Sequence, residues 1–131
     1  MPYHSAVIWI DHETAHIARF NREQEEFHVI HAVHGREHLH HKAGSIGAGN
    51  SPSHPDYYRN VIGAVGNIPE VLVAGPADAK HELMEYAEQH NKDFVSRVIK
   101  VETLDRVTQG ELIAYARRFF QERKPRLNSG H

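Results

Sequence analysis

Residues 70–83 read Glu70-Val71-Leu72-Val73-Ala74-Gly75-Pro76-Ala77-Asp78-Ala79-Lys80-His81-Glu82-Leu83. A short apolar run stops at Gly-Pro, and a helical pattern begins at once. The run is too short for a helix, and its valines suit a strand. Asp78 is placed to cap the helix that follows, whose inner face would be Leu83, Ala87 and His90. A strand passing directly into a helix is half of a βαβ unit, and such units favour parallel strands covered by helices.

Downstream, Val98 to Thr103 is a further strand, and Thr108 with Glu111 forms a capping box. Leu112, Tyr115, Ala116 and Phe119 then make an amphipathic helix. Upstream, Tyr58, Val61, Ile62 and Val65 recur at helical spacing, behind Ser53 as N-cap and Asp56 in the first turn. Three strands come first. Ala6-Val7-Ile8-Trp9-Ile10 is apolar throughout, which suits a strand covered on both faces. In residues 15–20, Ala15, Ile17 and Arg19 share one face, and His16, Ala18 and Phe20 the other. Phe27, Val29, His31 and Val33 alternate with His28, Ile30 and Ala32. Polar turns at 11–14 and 21–25 make these three an antiparallel meander. The order βββ-loop-αβαβα predicts an α/β protein with a mixed five-stranded sheet of the ribonuclease-H-like type. It reads as a single domain over residues 1–123, followed by a flexible basic tail at 124–131 that lacks any period.

The 131 residues suffice for one core. Lys plus Arg number 15 against 17 Asp plus Glu, a net charge of −2, which excludes a strongly basic duplex coater but not a local basic patch. With no cysteine, disulfides, thiolate metal sites and thiol chemistry are ruled out. The N-terminus shows no basic then apolar signal pattern, and no run approaches the roughly 20 apolar residues of a spanning helix. The expected location is the cytoplasm, with no membrane partner. The oligomeric state is open, a homodimer included. The unusual count is 13 histidines.

Five of those, His31, His34, His38, His40 and His41, lie at the start of a long segment without periodicity. This loop, 34–53, also holds Arg36, Lys42, Gly44, Ser45, Gly47 and Gly49. Structureless stretches of this length inside a compact domain usually carry function. Its cations and imidazoles suit RNA phosphates and unpaired bases, and its glycines allow close backbone approach. The contact set expected is Arg36, His38, His40, His41, Lys42, Gly44, Ser45 and Gly47. Imidazoles gain charge near pH 6, so RNA binding is expected to strengthen there. The basic residues Arg117 and Arg118, with Arg123, Lys124 and Arg126, form a second candidate contact.

Other chemistries are weaker on the same residues. His34, His38, His40 and His41 could ligate a metal, yet their spacing is not a strong ligand pattern. Zn or Ni held adventitiously during purification is the simpler expectation, and no cofactor is called for. His16 and His28 read as ordinary cross-strand polar residues. Asp11 ends the first strand, where ribonuclease-H-like nucleases keep a metal-binding carboxylate. Glu13, Asp78 and Glu102 would have to join it to support a metal-dependent hydrolase. Asp11 is as readily a turn residue and Asp78 a cap. Ser45 and Ser51 make no credible triad. Trp9 and Phe119-Phe120 read as core.

The junction Ala74-Gly75-Pro76-Ala77-Asp78-Ala79-Lys80-His81-Glu82-Leu83 resembles that of the middle domain of eukaryotic and archaeal class 1 peptide-chain release factors and of Pelota. The likeness extends to Arg97-Val98-Ile99-Lys100-Val101-Glu102 and, in element order, to residues 5–120. The stretch His40-His41-Lys42-Ala43-Gly44-Ser45-Ile46-Gly47 is similar to short bacterial translational machinery proteins. The resemblance implies the same ribonuclease-H-like, translational-machinery-component fold. Release factors carry Gly-Gly-Gln in the loop before the first helix; here that loop has no glutamine and no Gly-Gly pair. Hydrolysis of peptidyl-tRNA is therefore not implied. What the resemblance implies is a non-catalytic protein of the translation apparatus, with the ribosome, rRNA or tRNA as partner.

Overall fold

The sheet is built outward from β1 (Ser5–Ile10). In the computed structural model of the protein, which describes residues 3–32 and 55–129 and side chains as far as residue 122, every residue of β1 is buried. Ala6, Ile8 and Ile10 face one hydrophobic cluster, and Val7 and Trp9 face another. A strand apolar from Ala6 to Ile10 finds cover on both sides of the sheet. β2 (Thr14–Phe20) pairs antiparallel with β1, and β3 (Glu25–His31) antiparallel with β2. Asp11 and Asn21 shape the two turns. The Asp11 carboxylate accepts the Glu13 and Thr14 N–H groups at 2.8 Å each, and the Asn21 side-chain oxygen accepts those of Glu23 and Gln24 at 3.0 and 2.8 Å.

On the other flank, β4 (Glu70–Gly75) runs parallel to β1, and β5 (Val98–Thr103) parallel to β4. The strand order β3-β2-β1-β4-β5 gives the mixed ribonuclease-H-like sheet that the element order predicts. Helices α1 (Pro55–Val65), α2 (Ala79–His90) and α3 (Lys92–Arg97) cover one face, where Tyr57, Val61, Leu83 and Phe94 meet Ile8, Ile17 and Val73. Helix α4 (Gln109–Ser129) covers the other, with Leu112, Ile113, Ala116 and Phe120 on Val7, Trp9, Phe20 and Leu72. The Thr108–Glu111 capping box is formed in both directions, at 2.9 and 3.0 Å.

Several local expectations are corrected. Asp78 precedes α2 but makes no side-chain cap, because its backbone is already in the right-handed helical region (φ −86°, ψ −13°). A capping side chain needs an extended backbone to fold back on the first turn. The Asp78 carbonyl instead accepts the N–H groups of His81 and Glu82. His90 is exposed and stacks on Tyr86 rather than joining the core. The inner position beyond Ala87 is filled by Phe94, fully buried, from α3, which a six-residue length hides from any periodicity. Asn91 caps that short helix, accepting the Phe94 N–H at 3.1 Å. Helix α4 runs on to Ser129, past the Arg123 at which the sequence pattern stops. Lys80 is buried, 4% exposed, with its ammonium donating to the Ala77 carbonyl. No helix among the described residues is long and apolar enough to cross a membrane.

Candidate nucleic-acid interface

The parallel strands β1, β4 and β5 end at one rim, where β2 begins and β3 finishes. Open α/β sheets bind ligands beyond the carboxyl ends of their strands, where connections depart in opposite directions. Here that point lies between β1, which turns back into β2, and β4, which passes into α2. The rim is held by backbone. Asp11 N–H donates to Thr14, Ala32 N–H to Glu13 and Leu104 N–H to Gly75, each at 2.9 Å. A Cβ on Gly75 would stand 2.2 Å from the Ile10 carbonyl oxygen, so only glycine lets β4 lie this close to β1. Helix α1 starts against the same rim, the Tyr57 hydroxyl donating to the Asp11 carbonyl at 2.9 Å. Helices α2 and α4, each following a strand that ends here, also begin at this rim and turn their partial positive charge toward it.

Ala32, at the end of β3, and Pro55, at the start of α1, both stand at this rim. The expected contact residues Arg36, His38, His40, His41, Lys42, Gly44, Ser45 and Gly47, and His34 with them, lie outside the described residues, as does Ser53.

What the described residues add is a basic, aromatic corner on the α4 side. Val29, His16, Trp9, Ala74 and Glu102 are successive partners across all five strands. The Trp9 indole N–H donates to the Leu104 and Asp105 carbonyls at 3.0 and 3.1 Å, which fixes the ring. His16 meets that ring edge-on, with centroids 5.7 Å apart. The Arg106 guanidinium lies over it, 5.2 Å from the ring centroid, and 3.7 Å from the Asp11 carboxylate. Between them is a cavity of about 160 Å³, lined by Trp9, His16, Arg106, Thr108 and Gln109 among others. Burial pushes the His16 imidazole below its ordinary pKa, and the Arg106 charge adds to this, with Asp11 opposing. The corner thus presents a neutral imidazole beside a guanidinium that is 69% exposed. A guanidinium in that state can take a phosphate oxygen pair. Sequence reasoning missed Arg106. Its only signal was a lone arginine in the connection before the capping box, beside a strand end.

The two expected helix arginines part company. Arg117 donates to the Asn21 carbonyl at 2.7 Å and to the Glu25 carboxylate at 3.0 Å, and its guanidinium lies 5.1 Å from the Phe20 ring centroid. Those groups stand at the opposite rim, so Arg117 ties α4 to the β2–β3 turn. Arg118 is exposed and has no partner among the described residues.

The carboxylates needed for metal-dependent hydrolysis do not gather. Among the described residues no three His, Asp or Glu side chains are placed to hold a metal ion. One Asp11 oxygen is engaged by the turn N–H groups and the other faces Arg106. Asp78 and Glu13 are exposed, and Glu102 pairs with Lys100 at 3.2 Å while its other oxygen is buried without a partner. His28 pairs with Glu26 at 2.8 Å on β3, an ordinary surface contact.

No family profile and no curated protein matches the chain. Solved structures do. The chain superposes on Pelota of Archaeoglobus fulgidus with a TM-score of 0.60 at 12% identity, over 90% of this chain and 32% of that one. For Pelota of Thermoplasma acidophilum the TM-score is 0.58 at 16% identity, over 87% and 32%. For the archaeal translation termination factor aRF1 it is 0.52 at 15% identity, over 96% and 41%. The chain spans about a third of the length of the Pelota proteins it matches. The likeness to this group is one of fold, and it extends through nearly the whole chain rather than the junction alone.

Proposed function

We propose that this protein is a translation-associated factor without catalysis of its own, contacting the ribosome through rRNA or tRNA. The observation that carries the reading is positional. In a chain with the fold of Pelota and aRF1, the His- and Gly-rich segment follows β3 and precedes α1 in sequence, and the described residues on either side of it stand at the rim where helix N-termini and an exposed arginine face outward. Anions are favoured at such a rim, and single-stranded RNA offers both phosphates and unstacked bases. In this reading Arg36, His38, His40, His41, Lys42, Gly44, Ser45 and Gly47 form the contact, with Arg106 as a flanking phosphate ligand and Arg118, near the other end of the sheet, as a separate one. Arg117 has its guanidinium engaged at the opposite rim and contributes less. Affiliation with the short bacterial translational machinery proteins belongs to the same proposal, supported by the His40–Gly47 stretch.

Sedimentation of lysate through sucrose tests it. The protein is expected to travel with ribosomal particles at low salt and to be released as salt rises, because phosphate contacts displace condensed counterions. A combined Arg36→Ala, Lys42→Ala variant is expected to stay near the top of the gradient. A wild-type protein that stays at the top at every salt concentration would falsify the proposal.

A further inference from the structure

A second concavity lies on the other side of the sheet, along α1 and α2. It encloses about 470 Å³, within the roughly 300–1,000 Å³ of ligand-holding clefts. Its wall is a ladder of rings. Tyr58 and Tyr86 have centroids 6.2 Å apart, and Tyr86 and His90 lie 4.5 Å apart with planes at 30°. Its remaining lining is Glu82 and Glu85, both acidic, with Pro55 and Gln89. Glu82 accepts the Tyr58 hydroxyl at 2.7 Å and lies 3.2 Å from His12. Burial and the Glu82 carboxylate both raise the Tyr58 pKa, so that ring stays neutral and its hydroxyl stays a donor. Glu85 is exposed and has no ion pair among the described residues.

Aromatic faces and carboxylates attract the same thing. The ring quadrupole favours a cation over its face, and the carboxylate supplies the opposite charge. Both repel phosphate, so this cleft does not extend the RNA surface. The lining residues of α2 run from Glu82 to His90, about 12 Å along a helix axis. That is about four residues of extended chain, whose alternate side chains point the same way. We infer that the α1–α2 cleft binds an extended peptide segment of a partner protein bearing Arg or Lys, with the cationic groups on the Tyr58–Tyr86–His90 ladder and against Glu85. This site is independent of the RNA reading and uses the opposite face of the sheet from Trp9 and Arg106.

Titration of the full chain with a short peptide of alternating Arg and Gly, followed by NMR, tests the inference. Saturable shifts confined to Tyr58, Tyr86, His90 and their neighbours are expected, and none with a Glu-Gly peptide. Glu85→Gln and Tyr86→Leu are each expected to weaken binding roughly 2- to 5-fold, and Tyr86→Phe to preserve it, since phenylalanine keeps the ring face. Trp9 fluorescence, reporting from the other face, checks that each variant is folded. Shifts spread over the whole surface, wild-type affinity in the Glu85→Gln and Tyr86→Leu variants, or the same shifts produced by oligouridine would overturn it. Gradient sedimentation with Glu85→Gln is expected to match the wild type, so failure here and failure of the ribosome reading are separately visible.

Discussion

The two rims of the sheet use arginine in opposite ways. At the rim where β4 begins, Arg97 donates to the Gly66 and Ile68 carbonyls at 2.9 and 2.7 Å and to Asp93 at 3.1 Å. At the same end Arg117 clasps the β2–β3 turn. At the rim where β4 ends, the carbonyls of Glu13, Thr14 and Gly75 are already taken by backbone N–H groups. Arg106 is left with the face of Trp9 and a distant Asp11. A guanidinium carries five donors and goes to free carbonyls when they are within reach. Where the carbonyls are already taken, by backbone N–H groups and by Trp9 and Tyr57, the charge stays outward. At one end arginines therefore tie off the turns, and at the other the carbonyls are filled without them and the Arg106 guanidinium stays exposed.

The largest effect expected is at the rim where β4 ends. Gly75→Ala drives a Cβ into the Ile10 carbonyl, and neither strand can move without breaking a central pairing. A loss of about 3 kcal/mol or more is expected in urea unfolding. A stable Gly75→Ala protein would show that the rim is not closed by that approach. Arg97→Met comes next, at about 3 kcal/mol, because two carbonyls lose charge-assisted donors while the stem is conserved. Arg117→Met is expected to cost about 1–2 kcal/mol, its contacts being more exposed.

Protonation of His16 gives a smaller, pH-dependent effect. In the fold its pKa lies below the ordinary 6.5, chiefly through burial and then through Arg106. Between the lowered value and 6.5 the unfolded chain holds the proton and the folded chain does not. Stability should therefore fall as pH drops through that window and be full above it. Denaturant midpoints taken from pH 7 to pH 5 for wild type and His16→Gln should show the shallower decline in the variant. Parallel declines would mean that the imidazole is not held neutral.

Arg106→Met should change stability least, within about 0.5 kcal/mol. Its consequence belongs to binding. Fluorescence anisotropy with a single-stranded RNA at several salt concentrations should show weaker affinity and a salt slope reduced by about one. A destabilised Arg106→Met protein with unchanged RNA affinity would erase the contrast between the rims.

Much of the fold was legible because it rests on neighbours in sequence. The alternation in residues 15–20 places Ile17 on one cluster and Phe20 on the other, as the structure does. The Thr108–Glu111 pair spans three residues, so its hydrogen bonds are written in the local chain. Helix α3 was not legible, since six residues give too few turns to show a period. The Asp78 side-chain cap failed for a different reason: residue type permits a cap, but only the backbone angle grants it.

The sequence by itself determined the order of strands and helices and their apolar faces. Those follow from periods of two and 3.6 residues, which adjacent side chains carry. Only the tertiary structure decided that β1 lies between β2 and β4, that Arg117 ties off a turn and that Arg106 faces outward. The Arg117–Asn21 contact joins residues 96 apart in the chain. A long cation takes whichever carbonyl the folded backbone leaves open near it, and no local pattern records which ones those are.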